Sequence, residues 1–202
     1  MAYRFPLALV ALVPAAWATP ATGPVREIPA EVREVVDALT DSKQPIRAWQ
    51  EAHARLRSMG RDLMPAVVDV FAQQLGQSHS TARRQLALAV GPQFRDVGAP
   101  LVPALMEMLK SDEQSESWAA AQALGFIGPE ARQAVPQLIR AAQYGNELAT
   151  VALGEIGDPR ALRTLDLLAQ EEGDRAAKTA ARKIRAATAP TQPAARSASG
   201  PA

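Results

Sequence analysis

The two histidines, His53 and His79, are the side chains best suited to metal or acid–base work in this 202-residue chain. A helical metal site needs a second histidine one turn away, and neither has one. His53 lies in a helix-like stretch and His79 in the loop-like run QSHST. There are no cysteines, which excludes disulfides, thiolate chemistry and cysteine-based metal sites. Ser80 and Thr81 beside His79 read as the N-cap of the following helix, because a hydroxyl there satisfies a free backbone N–H. Asp158, in the turn Gly157-Asp158-Pro159, reads the same way. No catalytic, cofactor-binding or metal-binding residue is predicted, and no cofactor.

The elements that carry these residues are helices. Alanine and leucine are abundant, there are only nine aromatic residues, and β-branched alternation is nearly absent. Residues 31–39 place Val32, Val35, Val36 and Leu39 at helical spacing. A repeat follows. Residues 123–129 read ALGFIGP and residues 152–159 read ALGEIGDP, 29 positions later. Leu138 and Ile139 match Leu167 and Leu168 at that offset. Upstream, Val90-Gly91-Pro92 matches Ile127-Gly128-Pro129, and Val102-Pro103 matches Val135-Pro136, with a spacing four residues longer. A weaker copy has Met59-Gly60 and Met64-Pro65. A repeat of this length points to stacked helical pairs.

Each repeat has its stop and start. Gly60, Gly91, Gly128 and Gly157 are expected to end first helices in a left-handed conformation. Pro65, Pro103, Pro136 and Pro159 fall where second helices begin. Ala123, Gly125, Ala152 and Gly154 should let neighbouring helices approach closely. The expected pairs are 45–58 with 64–75, 81–90 with 100–110, 116–126 with 131–143, and 148–156 with 159–171. A capping helix at 175–187 closes the array. Trp49 aligns with Ala52, Leu56 and Met59 on a core face, whereas Trp118, at a helix start, should be partly exposed.

The two chain ends differ from this. Residues 1–18 read MAYRFPLALVALVPAAWA: a basic Arg4, an apolar run and an Ala-x-Ala cleavage signature. This predicts a secretory signal peptide cut after Ala18. The run is too short for a membrane-spanning helix, so no transmembrane anchor is expected there. Residues 19–29 read as a linker, 30–187 as the repeat domain and 188–202 as a disordered tail. The net charge is +1, which argues against a general polyanion binder. The local exception is 175–202, with six basic residues and no acid.

The phrases AAAQALGFIGPEARQAVPQLIRAA and ATVALGEIGDPRALRTLDLLA carry a resemblance. The stretch from about 44 to 187 resembles HEAT-like repeat proteins, in particular the short variety named after phycobilisome lyases. The resemblance implies an all-α, right-handed α-solenoid of about four helical pairs. It implies a non-catalytic scaffold that binds a protein partner on a concave face lined by second helices. Some metal-dependent hydroxylases of this build use His-Glu dipeptides, but here His53 precedes Ala54 and His79 precedes Ser80. Lyase-type catalysis or cofactor binding is the alternative the family name suggests.

Aligning the second helices by their Val-Pro or Met-Pro step puts Asp69, Glu107 and Arg140 at one place in successive repeats. Asp166 and Gln170 fall nearby, Arg163 lies one turn before, and Gln137 flanks Arg140. This polar stripe is the expected partner surface. A second binding idea is a weak anionic-surface or nucleic-acid contact through the basic end helix, although aromatics for base stacking are absent there. The overall expectation is a monomeric, periplasmic or secreted scaffold with an unidentified protein partner and no nucleic acid.

Overall fold

Val32, Val35, Val36 and Leu39 are each at most 1% exposed, so the first amphipathic stripe is wholly sealed. They lie on α1 (Ala30–Thr40). The computed structural model describes residues 28–41, 43–171 and 174–188, and all elements among them are helical. The expected signal peptide, most of the linker and nearly all of the tail lie outside the described residues. After α1 come α2 (Ile46–Ser58), α3 (Met64–Gln77), α4 (Ser80–Ala89) and α5 (Val102–Met108). Then follow α6 (Gln114–Ile127), α7 (Val135–Gln143), α8 (Glu147–Ile156), α9 (Leu162–Glu171) and α10 (Arg175–Thr188).

The helices stack in two rows. One row runs α1, α4, α6, α8, α10, and the other runs α3, α5, α7, α9. Apolar side chains from both rows join one core that reaches from Val32 to Ile184. Burying each large aliphatic side chain contributes about 1.5–3 kcal/mol. The pairing departs from the sequence expectation: α5, α7 and α9 pack chiefly on the first-row helices that follow them, α6, α8 and α10, and the N-terminal end is rearranged. α1, not α2, packs on α3 and α4, and α2 lies chiefly against α1. Burial explains the exchange. Helix α2 buries only Ala52 and Leu56, so its apolar stripe is too thin to fill a layer. The valine-rich stripe of α1 does so.

Proline opens the second row as expected. Met64-Pro65, Val102-Pro103 and Val135-Pro136 begin α3, α5 and α7. Short 3-10 turns at Ala99–Leu101, Gly128–Ala134 and Pro159–Ala161 feed α5, α7 and α9. Proline suits these positions because its missing N–H would be unpaired anyway. The glycine expectation holds in part. Gly128 and Gly157 take φ of 73° and 75°, reversing the chain after α6 and α8. Gly91 is extended at φ −132°, and Gly60 is not among the residues with positive φ. Gly91 passes the chain straight into the turn Pro92–Phe94, so no reversal is needed there. Ser80 and Thr81 also fall differently. Helix α4 starts at Ser80, and its N-cap position is held by His79 without a side-chain bond.

Small residues set the spacing of the first row. A Cβ on Gly125 would come within 3.1 Å of the Ala152 Cα and 3.2 Å of its Cβ. On Gly154 it would lie 2.8 Å from the Ala180 Cβ and 2.9 Å from its Cα. Gly154→Ala should therefore lower stability by about 1–2 kcal/mol, because overpacking outweighs the gain in helix propensity. Gly125→Ala should cost less. Urea unfolding of the two variants checks this, and equal costs would remove close approach as the reason for Gly154.

Candidate functional site

Each residue of the expected stripe lies on the second row. Asp69 is on α3, Glu107 on α5, Gln137 and Arg140 on α7, and Arg163, Asp166 and Gln170 on α9. Asp69, Glu107, Arg140, Arg163 and Gln170 are exposed, while Gln137 and Asp166 are half-buried. The stripe is partly engaged within the molecule. Lys110 donates to Glu107 at 2.7 Å. Arg185 grips both Asp166 oxygens at 2.6 and 2.7 Å. Arg140 and Arg163 have no carboxylate within ion-pair range among the described residues. With Asp69, which is exposed and likewise has no ion-pair partner among the described residues, they are the stripe's available charges.

The same contacts reduce the basic character of α10. Arg185 is held by Asp166, and Lys183 donates to Glu155 at 2.6 Å. The remaining cations share the helix with a buried alanine face, Ala177, Ala180 and Ala181, beside Ile184. That apolar face is used to cover α8 and α9. No described helix is long and apolar enough to cross a membrane.

The histidines do not converge. His53 stacks on Trp49 with ring centroids 5.1 Å apart and planes at 27°. Burial holds its imidazole below the usual range, with the Arg57 charge adding to this and the Leu88 carbonyl opposing it. His79 is exposed at the start of α4. Among the described residues no cluster of three or more histidines and carboxylates is placed to hold a metal ion. Trp49 is half-buried against the core, and Trp118 is 38% exposed, as their helix positions predict.

The sequence reading missed a second surface, on the first row. Trp118, Gln122 and Phe126 lie one turn apart along α6, and Glu147, Val151 and Glu155 do the same along α8. Between them runs a shallow groove of about 360 Å³, lined by Gln122, Phe126, Leu148, Val151 and Glu155, with Arg95 at one end. Val151 is 47% exposed. The 29-residue offset aligns Phe126 with Glu155 and Val151 with Gln122. An apolar side chain at a position its sister repeat fills with a polar one was the signal available in the sequence.

Asp158 performs the capping role expected of it, and more. Its Oδ1 accepts from the Arg160 backbone N–H at 2.9 Å and from Nε at 3.0 Å, while Oδ2 accepts from Nη2 at 2.8 Å. Arg160 Nη2 also donates to the Arg132 carbonyl at 2.9 Å, tying successive turns together. The Arg160 hydrogen bond holds the Asp158 carboxyl below its usual range, against the opposing effect of burial. Its contribution is thus present above the unfolded value of about 3.9 and is lost as pH falls through the lower folded value. Asp158→Ala should cost about 1–2 kcal/mol at neutral pH. Thermal melts from neutral pH downward check this, and the gap from wild type should close below pH ~4. A gap that persists into acid would assign the loss to packing instead.

The geometry on both rows suits the display of side chains from consecutive repeats. Comparison with curated proteins finds no match. The family model described as HEAT repeats matches residues 102–185. That span runs from the start of α5 into α10 and takes in the two glycine reversals and the close Gly125 and Gly154 contacts. Residues 102–185 are thus similar to HEAT repeats, and the described helices stack as an all-α solenoid.

Proposed function

We propose that the protein is an exported, non-catalytic binding scaffold that offers its second-row helices to a protein partner. HEAT repeats commonly mediate protein–protein interaction, and the repeat match supports that class. The observation that carries the reading is the row itself. Asp69, Glu107, Arg140 and Arg163 project from four consecutive helices on one continuous core. Such a row holds polar groups at fixed spacing, which favours partners with matching charge. The concave placement of this row and the export signal before Thr19 belong to the same reading.

The test is crosslinked capture of the tagged, full-length protein from its native cells, read by mass spectrometry. The reading expects a mature N-terminus at Thr19 and one dominant envelope protein. That protein should be lost with Arg140→Glu and Arg163→Glu and retained by Val151→Glu. A capture indifferent to both arginines would remove the second row as the surface. An uncleaved N-terminus would remove export.

A further inference from the structure

We infer that the outer face of α6 and α8 is a self-association surface, on which two copies of this chain pair face to face across a two-fold axis. The face has an apolar centre. Trp118 and Val151 are 38% and 47% exposed, and Phe126 and Leu148 are half-buried beside them. Its two ends carry opposite charge. At the N-terminal end of the two helices, Asp112 and Glu147 are exposed. They have no basic partner within ion-pair range among the described residues. At the C-terminal end, Arg95 and Lys183 bracket the single carboxylate of Glu155 at 3.4 and 2.6 Å, leaving an excess positive charge.

That distribution fits a second copy. A two-fold axis lying in the face and running across the helices sets each helix antiparallel to its own copy. Trp118 then faces Phe126 of the second copy, and Val151 faces Val151 near the axis. Glu147 meets the Arg95 and Lys183 cluster, and the same contact is made twice. A parallel arrangement would bring acidic end to acidic end, so the charges select the antiparallel one. This face is separate from the second row, which stays open to the partner proposed above. The inference departs from the monomer expected from sequence.

Sedimentation equilibrium on the purified protein tests it. The wild type should have twice the monomer mass at ~100 μM and dissociate on dilution. Val151→Glu, at an exposed position, should keep the helical circular dichroism and raise the dissociation constant at least ~10-fold. Glu147→Lys and Lys183→Glu should each be monomeric alone and form a mixed dimer when combined, because both end contacts are then attractive. A wild type that stays monomeric at ~100 μM overturns the inference. So does a dimer untouched by Val151→Glu, or a pair of charge variants that fails to associate on mixing.

Discussion

Arg83→Met should destabilise the protein by about 3–5 kcal/mol, while Glu116→Gln, which breaks the same contact, should cost only about 1 kcal/mol. The asymmetry comes from burial. Glu116, on α6, is 1% exposed, whereas the Arg83 side chain, on α4, is 31% exposed. Arg83 Nη2 lies 2.7 Å from Glu116 Oε1, and the Ser111 hydroxyl donates to Oε2 at 2.8 Å. The contact is an ion pair without hydrogen-bond alignment, since neither Arg83 Nε nor Glu116 Oε1 has a hydrogen-bond partner. Removing the arginine leaves a carboxylate closed off from water with one hydroxyl donor. Removing the carboxylate's charge leaves a guanidinium that can turn to solvent. Urea unfolding of both variants decides the matter, and equal costs would mean that the pair acts through shape rather than charge.

That pair also marks how far the sequence could be read. The ion pairs Arg83–Glu116 and Arg84–Glu113 tie α4 to α6. Charge spacing alone does not reveal them, because it cannot say which helices are neighbours. The repeat phrase does say so where it is close to identical. From 116 to 171, helix order, proline starts, the Gly128 and Gly157 reversals and the small-residue contacts were all legible. There each feature follows from a local requirement that one residue type meets.

Upstream, the reading assigned the right helices and the wrong neighbours. Trp49, Ala52 and Leu56 share one face of α2, and Met59 follows at its C-cap, but periodicity identifies a buried face and not the surface it meets. The width of the apolar stripe was the better guide. Four branched or leucine side chains sealed on α1 outweigh the two buried residues of α2. The candidate surfaces divide similarly. The second-row stripe was found by aligning repeats, yet Glu107 and Asp166 turn out to be paired within the molecule. The α6–α8 groove was missed because its apolar residues sit at positions where the repeats differ.

Phe94→Ala should cost about 3–5 kcal/mol, as large a loss as any expected from a single side chain here, although Phe94 lies in a connection rather than a long helix. The link between α4 and α5 is the one with the longer spacing, and it sends Phe94 and Leu101 into the core while Arg95 and Asp96 stay at the surface. Phe94 is fully buried and stands 5.3 Å from the ring of Phe71 on α3. The Gly98 N–H donates to the Phe94 carbonyl at 2.7 Å, which curls the segment tightly around the ring. A Cβ at Gly98 would meet Ile127 Cγ1 at 2.7 Å, so the same segment also presses on the end of α6. Phe94 therefore plugs the layer between the N-terminal helices and the repeat match. Phe94→Leu, which keeps most of the volume, should cost under about 1.5 kcal/mol. Layers of a solenoid support only their neighbours, so losing this plug should also weaken the coupling of α1–α4 to α5–α10. Urea unfolding of Phe94→Ala should then show a lower midpoint and a shallower transition than wild type. A sharp transition with a loss below about 1 kcal/mol would mean that the connection is a passenger and that the layers hold without it.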